Sequence, residues 1–279
     1  MAGGAAGAPL VFAHRGSSHS VAEHTLGAYL RAIDEGADGL ECDVRLTRDG
    51  HLVCVHDRRI DRTSTGHGVL SDFDLAGLGS YDFASWKRGT AELPDSADAF
   101  IEERDLPRGP VPVLTLERLI AAVLDVPRPV RLLVETKHPT RYAGLVEQQL
   151  VRLLRRFGLA DPPDPSASRV AVMSFAPLGL RRIRLLAPAL PTVLLFEHVP
   201  MSRRDGSLPT SATMAGPGIH IVREHPRYVQ RVHERGHGAY VWTVDDPEDM
   251  ELVIGLGVDG IITNRPADTL AMLGRAVPF

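Results

Sequence analysis

Residues 39–57, "GLECDVRLTRDGHLVCVHD", contain two short apolar runs joined only by "RLTRDG". Parallel neighbours in a sheet need a crossover of roughly a dozen residues or more, so these two runs must form an antiparallel hairpin. Asp49-Gly50 at its centre is the strongest two-residue hairpin signal. With those two residues as the loop, Arg48 pairs with His51, and counting outward sets Asp43 opposite His56.

That hairpin decides the fold, because it settles the strand count. The apolar runs in order are "LVFAH", "GLECDV", "HLVCVHD", "RLLVETK", "RVAVMSF", "TVLLFE", "GIHIV", "AYVWTV" and "GIITN". Helix-period segments separate most of them; Leu26, Leu30 and Ile33 mark the first helix, which stops at Gly36. Such alternation predicts an α/β protein with a parallel sheet. Setting aside the returning hairpin strand leaves eight, the number a TIM-type (β/α)8 barrel requires.

Residues 61 to about 110 are turn-rich and hold no barrel strand, so they read as a small inserted lobe. The expected organisation is one barrel domain over residues 9–279, preceded by a flexible Ala/Gly-rich leader at 1–8. A second irregular stretch, 198–217, is placed to cover a site at the barrel mouth.

Composition narrows the partners. Lys plus Arg number 31 against 35 Asp plus Glu, and a net charge of −4 argues against a nucleic-acid binder. No apolar stretch approaches the roughly 18 residues that span a bilayer, and the N-terminus lacks a basic, apolar leader. The expectation is a soluble cytoplasmic protein without integral membrane association. Cys42 and Cys54 are too few to staple a secreted fold and read as reduced core thiols. Oligomeric state leaves no mark in the sequence.

Period-two alternation decides which side chains meet. Glu41 and Asp43 share one face of their strand, with Cys42 and Val44 on the other; Glu135 and Lys137 likewise share a face. Polar residues at barrel strand ends point to the carboxyl rim, where active sites of this fold lie. His14, Arg15, Glu41, Asp43, Glu135 and Lys137 all fall there, and His56 joins them through the hairpin.

Three carboxylates without thiolates suit a hard cation, Mg²⁺ or Ca²⁺. Arg15 and Lys137 add charge for a phosphate, and His14 and His56 offer a general acid and base. Singly, each has a plainer reading: a structural histidine, a surface ion pair, or a Schiff-base lysine at Lys137. Their coincidence at one rim favours the joint reading. Trp242 and Phe175 either pack the barrel or line the pocket. Ser174 lacks a nucleophile elbow. His51, His67, His225, His233 and His237 read as solvated.

"AHRG", "GADGLECDVRLTRDGHLVCVHD", "DRTSTGHG", "VPVLTLERLI", "LVETKHP", "VWTVDD" and "GVDGIITNRP" together resemble the glycerophosphodiester phosphodiesterase family, in order from about residue 10 to 268. The resemblance implies a TIM barrel, one divalent cation, and a small-molecule substrate hydrolysed to glycerol 3-phosphate and an alcohol. By matching position, His14 and His56 take the acid and base roles. Arg15 and Lys137 contact phosphate, Glu41, Asp43 and Glu135 hold the metal, and Trp242 lies near substrate. The family's Pro-Glu-Asn-Thr is here Ala22-Glu23-His24-Thr25. A lysophospholipase D or sphingomyelinase D-like enzyme and a non-catalytic phosphate-binding module are the rival readings.

Overall fold

The computed structural model describes residues 7–87 and 109–275. Nine strands form its sheet: β1 (Leu10–His14), β2 (Gly39–Leu46), β3 (Leu52–Cys54), β4 (Arg131–Thr136), β5 (Val170–Ser174), β6 (Thr192–Phe196), β7 (Met214–Pro217), β8 (Gly238–Val241) and β9 (Gly260–Thr263). Eight are parallel and run β1-β9-β8-β7-β6-β5-β4-β2, and β1 pairs β2 to close the barrel. Only β3 is antiparallel, lying outside the cylinder against β2. The expected eight strands plus a hairpin are therefore present.

The hairpin register is one residue away from the sequence expectation. Thr47 N–H donates to the His51 carbonyl and Gly50 N–H to the Thr47 carbonyl, so the loop is Arg48-Asp49-Gly50. Gly50 holds φ +86°, a left-handed position that ends a three-residue loop. Val44 consequently pairs Cys54, and Val55, not His56, comes opposite Asp43. His56 stands beyond the paired strand.

Two further expectations are corrected. "GIHIV" is not a strand: α6 (Ile219–Glu224) begins there, and β7 is the preceding "MAGP". That strand lacks β-branched residues because Leu195 and Val193 of β6 lean over it; a Cβ on Gly216 would sit 2.6 Å from Leu195 Cδ2. In α1 (Leu26–Asp34), Leu30 is 42% exposed while Ala28, Tyr29, Ala32 and Ile33 are buried. Tyr29 supplies the apolar contact that spacing had assigned to Leu30.

The core has two layers. Leu40, Cys42, Val44, Leu132 and Val134 face outward under the helices, among them α3 (Leu116–Leu124) and α4 (Leu145–Arg156). Phe12, Leu133, Met173, Val193, Leu195, Tyr240 and Ile262 fill the cylinder, with the Phe12 and Tyr240 rings 5.3 Å apart. This apolar plug is the floor on which the polar rim stands, and it keeps water from reaching the rim residues from below. Glu41 and Asp43 alternate with the outward set, as period-two spacing requires.

After β3, Val53, Val55, Ile60, Leu70, Leu78, Phe83 and Val113 build a small separate cluster. These residues fall within and beside the expected inserted lobe, of which 88–108 lie outside the described residues. Residues 198–213 act as the crossover between β6 and β7, not as a cover. The Arg235–Asp205 ion pair ties them to the end of α7 (Arg227–Glu234), at the bottom of the barrel. Among the described residues, no helix is long and apolar enough to cross a membrane.

Candidate active site

The turn after β1 explains why a strand ends on "HRG". Arg15 and Gly16 both adopt positive φ, +59° and +87°, so the chain doubles back over the rim. Arg15 N–H donates to the Glu41 carbonyl, continuing the β1–β2 ladder for one more residue. Gly16 is obligatory, since a Cβ there would lie 2.6 Å from the Ala28 backbone of α1. The result is an arginine side chain held above the end of β2.

Three carboxylates converge beneath it. Glu41 and Asp43 are 1% exposed and Glu135 6%, and each offers an oxygen within 4.8 Å of the others. Register produces this directly: His14 pairs Glu41 across β1–β2, and Asp43 pairs Glu135 across β2–β4. Lys137 Nζ lies 2.9 Å from Asp43 Oδ1 and 2.8 Å from Glu135 Oε1. Arg15 Nε lies 3.0 Å from Asp43 Oδ2, and its Nη1 donates to Glu23 at 3.1 Å.

The charges do not balance. Three acids face Lys137 and Arg15, leaving one negative charge in a largely buried site. Burial, then Asp43, pushes the Glu41 pKa well up, and the same causes push Glu135 to about 8. Asp43 behaves oppositely: burial raises it, but Lys137, the His24 hydrogen bond and Arg15 outweigh burial and hold it well below the usual range. A dication coordinated by the three would let all of them ionise. The oxygen-only donor set and this uncompensated charge both fit a hard divalent ion.

Each candidate proton carrier has a fixed tautomer. Asp245 accepts from Asn264 N–H and Nδ2 at 2.8 and 2.6 Å, which turns Asn264 Oδ1 toward His14 Nδ1 at 2.7 Å. His14 Nδ1 therefore donates, and its Nε2 faces the cup, 3.9 Å from Glu41 Oε2. Burial foremost, then Arg15, lowers its pKa to about 3, so it is neutral at pH 7. His56 Nδ1 donates to Asp57 at 2.7 Å. Burial lowers its pKa, with the charges of Asp43, Arg15 and Lys137 also acting on it.

Trp242 stands across the barrel mouth from Glu135. Its Nε1 donates to the Gly216 carbonyl at 2.8 Å, and its ring meets the edge of Phe175, centroids 5.3 Å apart. With Phe175 41% exposed, the pair forms an apolar wall and is not sealed core. Of the histidines expected in solvent, His233 pairs with Asp259 at 2.9 Å.

Sequence reasoning passed over two participants and noted a third, His24, only as a departure from the family's motif. Asn264 and Asp245 orient His14, and both sit just past barrel strand ends, the one signal that could have found them. His24, at the family's asparagine position, is buried at φ +60°. Its Nε2 donates to Asp43 Oδ2 at 2.9 Å and its Nδ1 faces the Tyr29 hydroxyl at 2.8 Å. His24 thus fixes the rotamer of a candidate ligand. Partners of this kind are worth roughly 10–100-fold in metal affinity. His24→Ala is expected to raise the divalent-cation concentration for half-maximal activity about tenfold, whereas His24→Asn, which keeps an amide donor, changes it about threefold or less.

An acidic, two-cation, two-imidazole cup on a (β/α)8 barrel defines the class as a phosphoester-processing enzyme, and comparison with known proteins gives the family. The profile of the glycerophosphoryl diester phosphodiesterase family matches residues 14–268, and the chain belongs to that family. It is 46% identical over 273 residues to a probable glycerophosphodiester phosphodiesterase 1 of Mycobacterium tuberculosis, covering 97% of this chain and 95% of the relative. A glycerophosphodiester phosphodiesterase of Bacillus subtilis is 32% identical, covering 92% and 84%. Among solved structures, a phosphodiesterase of Oleispira antarctica in complex with the product sn-glycerol-3-phosphate shares the fold. Its TM-score is 0.77 at 21% identity, over 96% of this chain and 97% of that one.

Proposed function

We propose that this enzyme hydrolyses glycerophosphodiesters to glycerol 3-phosphate and an alcohol by in-line displacement at phosphorus. Glu41, Asp43 and Glu135 would hold one divalent cation, Mg²⁺ or Ca²⁺, and His14 and His56 would move the protons. The observation that carries this reading is the convergence of three buried carboxylates within 4.8 Å, flanked by Arg15 and Lys137 and by two imidazoles of fixed tautomer. The same reading takes residues 9–279 as one domain with an inserted lobe.

When bound, the cation supplies positive charge to the non-bridging phosphate oxygens, an effect usually worth several kcal/mol. Arg15 and Lys137 add to it. Nη1 of Arg15 donates to Glu23 and Nε makes a charge contact with Asp43 without a hydrogen bond, which leaves Nη2 for a phosphate oxygen. Lys137 Nζ is held by ion pairs to Asp43 and Glu135 and, as an ammonium with three N–H groups, can also donate to a phosphate oxygen. Both donors are preorganised in a largely buried site, the condition under which such contacts favour a transition state.

The partner of each imidazole assigns its role. Burial lowers the His56 pKa, but the hydrogen bond to Asp57, itself paired with Arg62, opposes that shift, so of the two imidazoles His56 suits the acid that protonates the departing alcohol oxygen. The Asn264 hydrogen bond to His14 is outweighed by burial and Arg15, which keep the ring neutral, so His14 suits the base. It takes the proton from the attacking oxygen, either a water, which gives glycerol 3-phosphate directly, or the substrate's own glycerol 2-hydroxyl, which gives a cyclic phosphate that a water then opens to glycerol 3-phosphate. The phosphorus–oxygen bond to the alcohol then breaks as the new one forms. A coupled assay for glycerol 3-phosphate should show release from glycerophosphodiesters, loss of at least about 99% of it with a chelator, and recovery on adding Mg²⁺ or Ca²⁺. Full turnover in the chelated, metal-free enzyme would exclude this mechanism.

A further inference from the structure

A second cavity of about 270 Å³ adjoins the cup at Lys137, between the β4–α4 connection and the chain after β3. Its lining carries Arg45, Arg58 and Arg141 besides Lys137, against a single carboxylate, Asp72. Asp72 is already paired with Arg141. Among the described residues, no carboxylate lies within ion-pair distance of Arg45 or Arg58. Arg45 is only partly exposed and is anchored by donating from Nε to the His56 carbonyl at 2.9 Å. Asp43, Glu135 and Asp57 attract Arg45 only from beyond ion-pair distance, so among the described residues its partly buried guanidinium has no direct counter-ion, and an anionic ligand would supply one.

Direction follows from the proton chemistry, and the inference rests on the proposed hydrolysis. His56, the group suited to protonating the leaving alcohol, is bonded through its carbonyl to Arg45. A departing alcohol protonated by His56 would leave on the side of this cavity, with the Trp242–Phe175 wall across the mouth. We infer that the Arg45–Arg58–Arg141 cavity selects glycerophosphodiesters whose alcohol carries an additional anionic group, a phosphate or carboxylate, and disfavours those with a cationic amine. At about 270 Å³, just under the usual range for ligand pockets, it is large enough for a small polar head.

Three diesters that all release glycerol 3-phosphate test this: glycerophosphocholine, neutral glycerophosphoglycerol and glycerophosphoinositol 4-phosphate. In the wild-type enzyme at low ionic strength, kcat/KM should be at least tenfold higher for the phosphorylated diester than for the choline diester, a gap that narrows as salt rises. Arg58 is exposed, so Arg58→Glu and Arg58→Gln should fold. Arg58→Glu should lower kcat/KM at least tenfold for the phosphorylated diester, change it less than twofold for glycerophosphoglycerol and raise it for glycerophosphocholine. Arg58→Gln should shift the ratios the same way by less. Equal wild-type turnover of all three, or a uniform loss across them in both variants, would overturn the selectivity and leave the hydrolase reading intact. No glycerol 3-phosphate from any of the three would overturn both.

Discussion

His14→Ala is expected to lower kcat/KM at least about a hundredfold on every glycerophosphodiester, and His56→Ala at least as much on those with a poor leaving group such as choline. The two should part on a glycerophosphoryl ester of p-nitrophenol, whose phenolate departs without being protonated. There His56→Ala should recover most of its rate, while His14→Ala should not. The asymmetry comes from the Asp57 partner of His56 and the Asn264 partner of His14. Wild-type kcat/KM should also be bell-shaped in pH, falling on the acid side as the base is protonated and on the alkaline side as the acid is lost. Steady-state kinetics on the two esters decides it, and equal losses for both variants on both esters would remove the assignment of roles.

The second large effect belongs to Asp43. It touches Lys137, Arg15 and His24 at 2.9, 3.0 and 2.9 Å, so Asp43→Ala strands buried cations as well as removing a candidate ligand. Stripping one partner from a buried pair costs about 3–5 kcal/mol; since Glu23 and Glu135 remain beside Arg15 and Lys137, about 2–3 kcal/mol is expected here. Activity should fall at least a thousandfold, more than the fold-change from lost stability alone. Glu41→Gln makes the contrast. Its carboxylate is penalised by burial and by Asp43, so the amide should leave metal-free stability unchanged or higher while activity still drops about a hundredfold. Denaturant midpoints alongside glycerol 3-phosphate release separate the cases, and parallel behaviour of the two variants would contradict the charge balance described here.

How far the sequence carries depends on the kind of rule involved. Period-two alternation placed Glu41, Asp43, Glu135 and Lys137 on the inner face correctly, because a strand leaves a side chain only two directions. The hairpin register failed by one residue, because Asp-Gly serves both a two-residue loop and the end of a three-residue one. The choice was made by Gly50 taking the left-handed position after Arg48 and Asp49. β7 escaped notice because its residues are small to fit neighbours on β6, a tertiary constraint with no local signature. The support of His14 comes from Asn264, 250 residues away in the chain, itself held by Asp245, and the His24–Asp43 bond rests on a backbone at φ +60° that composition does not announce.

Anomalous diffraction from crystals soaked in Mn²⁺ tests the central claim most directly. One strong peak should appear with an oxygen of Glu41, of Asp43 and of Glu135 each about 2.0–2.6 Å away, and it should vanish in Glu41→Gln/Glu135→Gln. A peak elsewhere, or none there in crystals of enzyme that is active with the same ion, would contradict the account.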